Sequence, residues 1–319
     1  MKKRMEQLIV LICIMMTTSV SAREWYYQMG FDLSGTFLDK FTPDNYNEWT
    51  TARSRMDGMN LINLDVEALS SLDGTVQQKQ YKTWQASGTV EYDSGVINRV
   101  WTEGKSIDWV AAVEVGRLNT IRNKSAATNI VFAIQSTLSK DFTNNPTPTE
   151  RIELIDSLIV AVETKYQQLY PANWSTFELQ WALIDASPAK NMAYTTIYAG
   201  LINCMNNRGR NFKGIYLDYP AAIVLADGTG STLTSVANYI TGLGKWAGWY
   251  LSPGISGAYQ ENMVSAAGMV ATSSNAVDIS RITVCDFQFR HSTELPDTIN
   301  TSDSIFPMME TFNRCYLEF

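Results

Sequence analysis

The 319-residue sequence predicts an α/β protein built as a (β/α)8 TIM-like barrel. Three observations carry that expectation. Short apolar, β-branched or aromatic runs recur along the chain, helical patterns lie between most of them, and the runs number eight. Strand–helix alternation favours a parallel sheet with right-handed crossovers, and a closed barrel of eight such units takes about 250 residues.

The expected strands are residues 27–33, 60–66, 129–135, 177–184, 214–219, 246–252, 282–289 and 305–311, each bounded by polar or Gly/Pro signals. A helix over 43–56 opens on Thr42-Pro43-Asp44, a capping residue followed by proline at the first helical position. Residues 149–169 place Ile152, Leu154, Ile155, Leu158, Ile159 and Val162 on one helical stripe. Residues 192–206, 233–243 and 260–270 repeat that pattern less cleanly. Between the second and third expected strands, residues 70–104 exceed a simple turn, and 88–101 read as a β-hairpin turning at Asp93-Ser94-Gly95. The expectation is therefore a hairpin insertion near the barrel mouth. The eighth strand leaves little chain for a closing helix, so either the barrel is incomplete or the strand count is off by one. No internal repeat or linker divides residues 23–319, which predicts one domain.

Residues 1–22 have the layout of a cleavable signal peptide. Lys2, Lys3 and Arg4 precede a short apolar run from Leu8 to Met16, and a small-residue tail ends in Val20-Ser21-Ala22. The mature protein is expected to be secreted or periplasmic, with no membrane insertion after signal cleavage. Cleavage removes three basic groups and one acidic group, taking the formal charge from −7 to −9. An acidic surface without a Lys/Arg cluster argues against nucleic acid and anionic membranes as partners. Oligomeric state is not legible. Cys204, Cys285 and Cys315 remain, an odd number that is not a disulfide framework.

A single histidine, His291, removes much of the enzyme repertoire. Zinc sites built on several histidines are impossible, and no Cys-x-x-Cys pair is present. No Gly-x-Ser-x-Gly elbow accompanies His291, and neither a dinucleotide-binding nor a phosphate-cradling glycine loop occurs. No metal and no cofactor is expected. His291 itself reads as a substrate contact or, more blandly, a polar loop residue. The chemistry falls to carboxylates, aromatic hydroxyls and amides.

Barrel sites sit at the C-terminal ends of strands. Asp32 ends the first expected strand, and Asn63, Asp65 and Glu67 share one face of the second. Asp185 ends the fourth, Tyr216 and Asp218 share a face of the fifth, and Asp286, Gln288 and Arg290 alternate along the seventh. Glu310 lies on the eighth. Charged groups inside strands are costly unless paired or needed, so their convergence marks a candidate site. Each also has a plainer explanation. Asp32 and Asp185 suit helix capping, Asp65 or Glu67 suits an ion pair with Arg290, and Asp286 suits a buried salt bridge. Nine Trp and fifteen Tyr, with Tyr216 and Tyr250 near strand ends, fit the apolar faces and hydroxyl rims of a sugar.

The run Phe212-Lys213-Gly214-Ile215-Tyr216-Leu217-Asp218-Tyr219 resembles the strand-end signature of glycoside hydrolases on (β/α)8 barrels. It departs from the Asp-x-Asp-x-Glu pattern of chitinase-type enzymes, because position 216 is Tyr and position 220 is Pro. The resemblance implies a two-carboxylate glycosidase acting on a carbohydrate substrate. Asp218 is then one of the catalytic pair, with Asp286 or Glu310 the other. Asp32, Asp65, Glu67, Asp185, Tyr216, Tyr250, Gln288 and Arg290 are expected to bind the sugar. Two other classes stay open: a non-catalytic carbohydrate-binding barrel, and a Ca²⁺ protein using Asp65 and Glu67.

Overall fold

The computed structural model describes residues 23–28, 55–62, 66, 89–124, 129–135, 146–171, 179–186, 194–252, 259–273, 278–285 and 307–319. Eight parallel strands form a closed barrel in sequence order. They are β1 (Glu24–Gln28), β2 (Gly58–Ile62), β3 (Thr89–Ser94), β4 (Asn129–Gln135), β5 (Leu179–Ala186), β6 (Phe212–Asp218), β7 (Trp246–Leu251) and β8 (Ile279–Cys285). The ring closes where β1 pairs β8, from Glu24 opposite Arg281 to Gln28 opposite Cys285.

Helices cover the outside. α1 (Val96–Trp101) and α2 (Ile107–Lys124) follow β3, α3 (Pro148–Leu169) follows β4, and α4 (Tyr194–Asn207) follows β5. α5 (Ala221–Asp227) and α6 (Ser231–Gly242) follow β6, α7 (Tyr259–Ala271) follows β7, and α8 (Pro307–Glu318) follows β8. α3 starts where the sequence says it must. Thr147 caps it, Pro148 occupies the first turn, and Glu150 completes a capping box through a 2.7 Å bond from the Thr147 N–H. Its apolar stripe buries Leu154, Ile155, Leu158, Ile159 and Val162. Fully burying such a side chain contributes about 1.5–3 kcal/mol.

Side-chain alternation splits the strands into two cores. Outward residues, among them Tyr92, Phe132, Trp181, Ile215 and Trp249, pack with the helices. Inward residues form a smaller cluster of Val131, Ala133, Ala182, Ile184, Tyr216, Tyr250 and Cys285, with Trp246 against it. Three glycines make room for rings in the lumen. A Cβ on Gly58 would stand 2.6 Å from Tyr26 Cε1, one on Gly214 would overlap the Trp246 ring, and one on Gly248 would overlap the Tyr216 ring.

Two expectations are corrected. The hairpin within the 70–104 insertion is not formed: Thr89–Ser94 is the third barrel strand, parallel to β2 and β4, and residues 96–101 are helix. Pairing on both sides removes any edge for a return strand. The eighth expected strand, residues 305–311, runs instead into the helix Pro307–Glu318, so Glu310 is helical. That helix buries Phe312 and Cys315. Phe312 meets Trp25 of β1 edge-on at 5.9 Å, and Phe319 reaches both Trp25 and Trp249 at 6.2 Å. The missed strand and the false one cancel in the count of eight. No disulfide involves Cys204, Cys285 or Cys315. The signal segment and residues 43–54 of the helix expected over 43–56 lie outside the described residues, and residues 55 and 56 are not helical.

Candidate active site

β3 reads Thr-Val-Glu-Tyr-Asp-Ser, and its period of two sends Val90 and Tyr92 outward, Glu91 and Asp93 inward. Outside, the Tyr92 hydroxyl donates to Glu114 Oε2 at 2.5 Å and Arg117 Nη1 pairs with Glu114 Oε1 at 2.7 Å, anchoring α2 on the strand. Inside, two of the partners of Glu91 come from β6 and β8, which do not neighbour β3, so those contacts cross the lumen. Arg281 of β8 meets Glu91 Oε1 at 2.9 Å, and the Tyr216 hydroxyl of β6 donates to the same oxygen. Arg281 also pairs with Glu24 at 2.6 Å, and Tyr26 donates to Glu24 at 2.8 Å. The Arg281 guanidinium lies 4.6 Å from the Trp246 ring and 5.3 Å from that of Tyr26, a cation held between two aromatic faces. These groups form the barrel floor.

Amides lead from the floor to the mouth. Asn60 Nδ2 faces Glu91 Oε2 at 3.4 Å and donates to the Tyr250 hydroxyl. Gln28 Nε2 donates to Asn60 Oδ1 at 2.6 Å and lies 3.4 Å from Asp93 Oδ2. Asp93 is 3% exposed, and its Oδ1 has no hydrogen-bond partner among the described residues. Asp218, the last residue of β6, stands partly exposed at the same end.

Burial sets the electrostatics, because a carboxylate without water prefers its proton. Asp93 is pushed well above the usual carboxylate range by burial first and the Asp218 charge next, with the Gln28 bond acting the other way. Asp218 is raised to about 6 by burial and then by Asp185. Glu91 is raised to about 7 by burial, against the pull of Arg281. Tyr250 is driven far up by burial and by the charges of Asp93 and Glu91. Two interacting carboxyl groups biased towards protonation at a barrel mouth are suited to giving and taking a proton near neutrality. Among the described residues no cluster of His, Cys, Asp or Glu is arranged to hold a metal ion.

Of the residues singled out in the sequence, Asp218 is at the mouth and Tyr216 sits below it, engaged with Glu91. Tyr250 lies in the inner cluster, accepting from Asn60. Asp185 is on the outer face of β5, where it accepts a 2.7 Å bond from Tyr198 of α4. Its charge still reaches Asp218. Glu310 is on α8, with its side chain outside the described residues. Asp32, Asp65, Glu67, Asp286, Gln288, Arg290 and His291 lie outside the described residues. Glu91, Asp93, Gln28, Asn60 and Arg281 were missed. For β3 the available signal was alternation, acidic residues at 91 and 93 between apolar ones at 90 and 92.

No protein-family model and no curated protein matches the sequence. Solved structures do match in shape. An endo-1,4-beta-xylanase of Penicillium canescens superposes with a TM-score of 0.50 at 13% identity, over 91% of this chain and 94% of that one. Xylanase 10B from Thermotoga maritima gives 0.50 at 10% identity, over 93% and 97%. A glucosidase from Croceicoccus marinus gives 0.50 at 10% identity, over 93% of this chain and 67% of that one. At such identities the likeness is one of fold: this chain has the (β/α)8 barrel architecture that these glycoside hydrolases share.

Proposed function

We propose that the protein is a secreted glycoside hydrolase that cleaves a poly- or oligosaccharide with two carboxyl groups at the barrel mouth, Asp218 and Asp93. One observation carries the reading: both groups occupy lumen-facing positions near the C-terminal ends of β6 and β3, and both are biased towards the protonated state. The shared fold with xylanase and glucosidase barrels supports the substrate class. Export is inferred from the signal layout of residues 1–22.

Asp93, the more strongly protonated, donates a proton to the glycosidic oxygen as the bond to the anomeric carbon breaks. Asp218, raised only to about 6, is mostly ionised at pH 7. It attacks the anomeric carbon or takes a proton from the attacking water. A carboxyl separation of about 5–5.5 Å gives the first course and retention, and about 6.5–9.5 Å gives the second and inversion. Asp286 as an alternative partner of Asp218, and the sugar-binding roles expected of Asp32, Asp65, Glu67, Gln288 and Arg290, remain part of the proposal.

Hydrolysis of a polysaccharide panel by the mature protein tests this, with Asp218→Asn and Asp93→Asn alongside. Each variant is expected to lose about 10²–10⁴-fold in kcat while keeping its fold, the loss typical of removing a positioned acid or base. A wild type that binds a glycan but cleaves none would make the protein a carbohydrate-binding barrel instead.

A further inference from the structure

We propose that Gln28 and Asn60 are positioning residues: Asn60 orients the Gln28 amide so that its Nε2 is presented to Asp93 Oδ2, and this fixes how the mouth carboxyl is held. The proposal deepens the glycosidase reading, resting on Asp93 being one of the reacting pair.

The polarity of the amides follows from the floor. Glu91 is bound to Arg281 at 2.9 Å and accepts from Tyr216, so it faces its neighbours as an acceptor. Asn60 can meet an acceptor only with its nitrogen, which stands 3.4 Å from Glu91 Oε2. That leaves Asn60 Oδ1 pointing at Gln28, and an oxygen there demands the Gln28 nitrogen, 2.6 Å away. The same nitrogen reaches towards Asp93 at 3.4 Å. A flipped Gln28 amide would set oxygen against two acceptors. Both amides sit on paired strand backbone, Gln28 opposite Asn60 and Cys285, so little freedom remains to relax.

The surroundings make the donor matter. Asp218 from β6, Glu91 on its own strand and Glu114 from α2 all act to keep Asp93 protonated, and Tyr250 of β7 stands close as an undissociated phenol. Among the groups acting on Asp93, Gln28 favours the carboxylate. It thereby offsets part of the burial and charge that hold the proton, easing its release to a leaving group.

Two uncharged substitutions separate this role from electrostatics. Gln28→Met removes the donor, and Asn60→Leu removes what orients it; Asn60→Ala serves where the leucine does not fold. The reading is the Asp93 carboxyl titration by carbon-13 NMR of labelled aspartate, assigned with Asp93→Asn and recorded without substrate. Each single variant is expected to move the Asp93 midpoint to higher pH, and the double variant no further than the larger single. An unmoved midpoint in either single variant, or shifts that add, overturns the proposal. On a cleaved substrate the alkaline limb of kcat moves the same way, whereas loss of packing alone lowers activity without moving it. A shifted midpoint in a protein that cleaves no polysaccharide sinks the glycosidase reading and leaves the positioning intact.

Discussion

The floor and the mouth of this barrel bury the same kind of group and treat it differently. At the floor, Glu91 is fully buried but meets Arg281, Tyr216 and Asn60. At the mouth, Asp93 is almost as buried and has one oxygen without a partner among the described residues. Arg281 and Asn60 pull the buried Glu91 carboxyl back to about 7, and removing the Arg281 counter-ion is costly. An unpaired carboxyl keeps its proton and is available for transfer. The contrast teaches that burial of acid alone does not mark a working site. Partnership distinguishes the two, and the floor's role is read as structural, the mouth's as chemical.

The strongest way to break this comparison is to remove the floor cation. Arg281→Met leaves Glu91 and Glu24 without their shared guanidinium and is expected to cost roughly 3–5 kcal/mol in urea unfolding. Asp93→Asn, measured the same way, should cost much less; equal losses would make both ends structural. The next effect is in pH. Asp218 has a folded value of about 6 against an ordinary 3.8, so the folded state binds the proton more tightly than the unfolded chain. Its contribution is therefore full below about 4 and is lost as pH rises through 6, roughly 1–3 kcal/mol. Asp218→Asn should flatten that decline in unfolding curves taken from pH 4 to 7, and an unchanged slope would refute the assignment. The smallest effect sharpens the mouth itself. Asp185→Asn removes a charge that raises Asp218, so the Asp218 titration is expected to fall by less than about 1 pH unit. No change would mean that the outer face of β5 is screened from the mouth.

Much of the fold was legible because packing wrote it into pattern. β4 appears with its expected bounds, since Asn129–Gln135 is an apolar run covered on both faces. β3 was hidden by its inward acids and by Asp93-Ser94-Gly95, which mimics a hairpin turn when read locally. Only the parallel pairing to β2 and β4 overrides that signal, and pairing is not a local property. The stretch 305–311 was misread because a short run of mixed apolar residues has no decisive period. Its helical face shows only when Phe312 and Cys315 are seen to pack. At the site, Asp218 was found through a strand-end motif. Gln28 and Asn60 were not, because an amide earns attention only once its partners on other strands are known.

The ring-and-glycine pairs have a consequence for how this sequence can change. Gly58 faces Tyr26, Gly214 faces Trp246 and Gly248 faces Tyr216, each glycine leaving the space that its ring occupies. A Cβ at Gly58 would also stand 2.6 Å from the Thr89 carbonyl oxygen, and one at Gly214 2.1 Å from that of Trp246, so neither can grow whatever its ring does. The nearest atoms to one at Gly248 all belong to the Tyr216 ring, and trimming that ring first opens a void beside the Glu91–Arg281 pair. The order of substitutions is thus constrained at Gly248, with the Tyr216 ring shrinking before the glycine grows, and Gly58 and Gly214 are closed to any side chain. Lineages that drift rapidly on the helical exterior would be slow to cross this interior valley, one coupled step at a time.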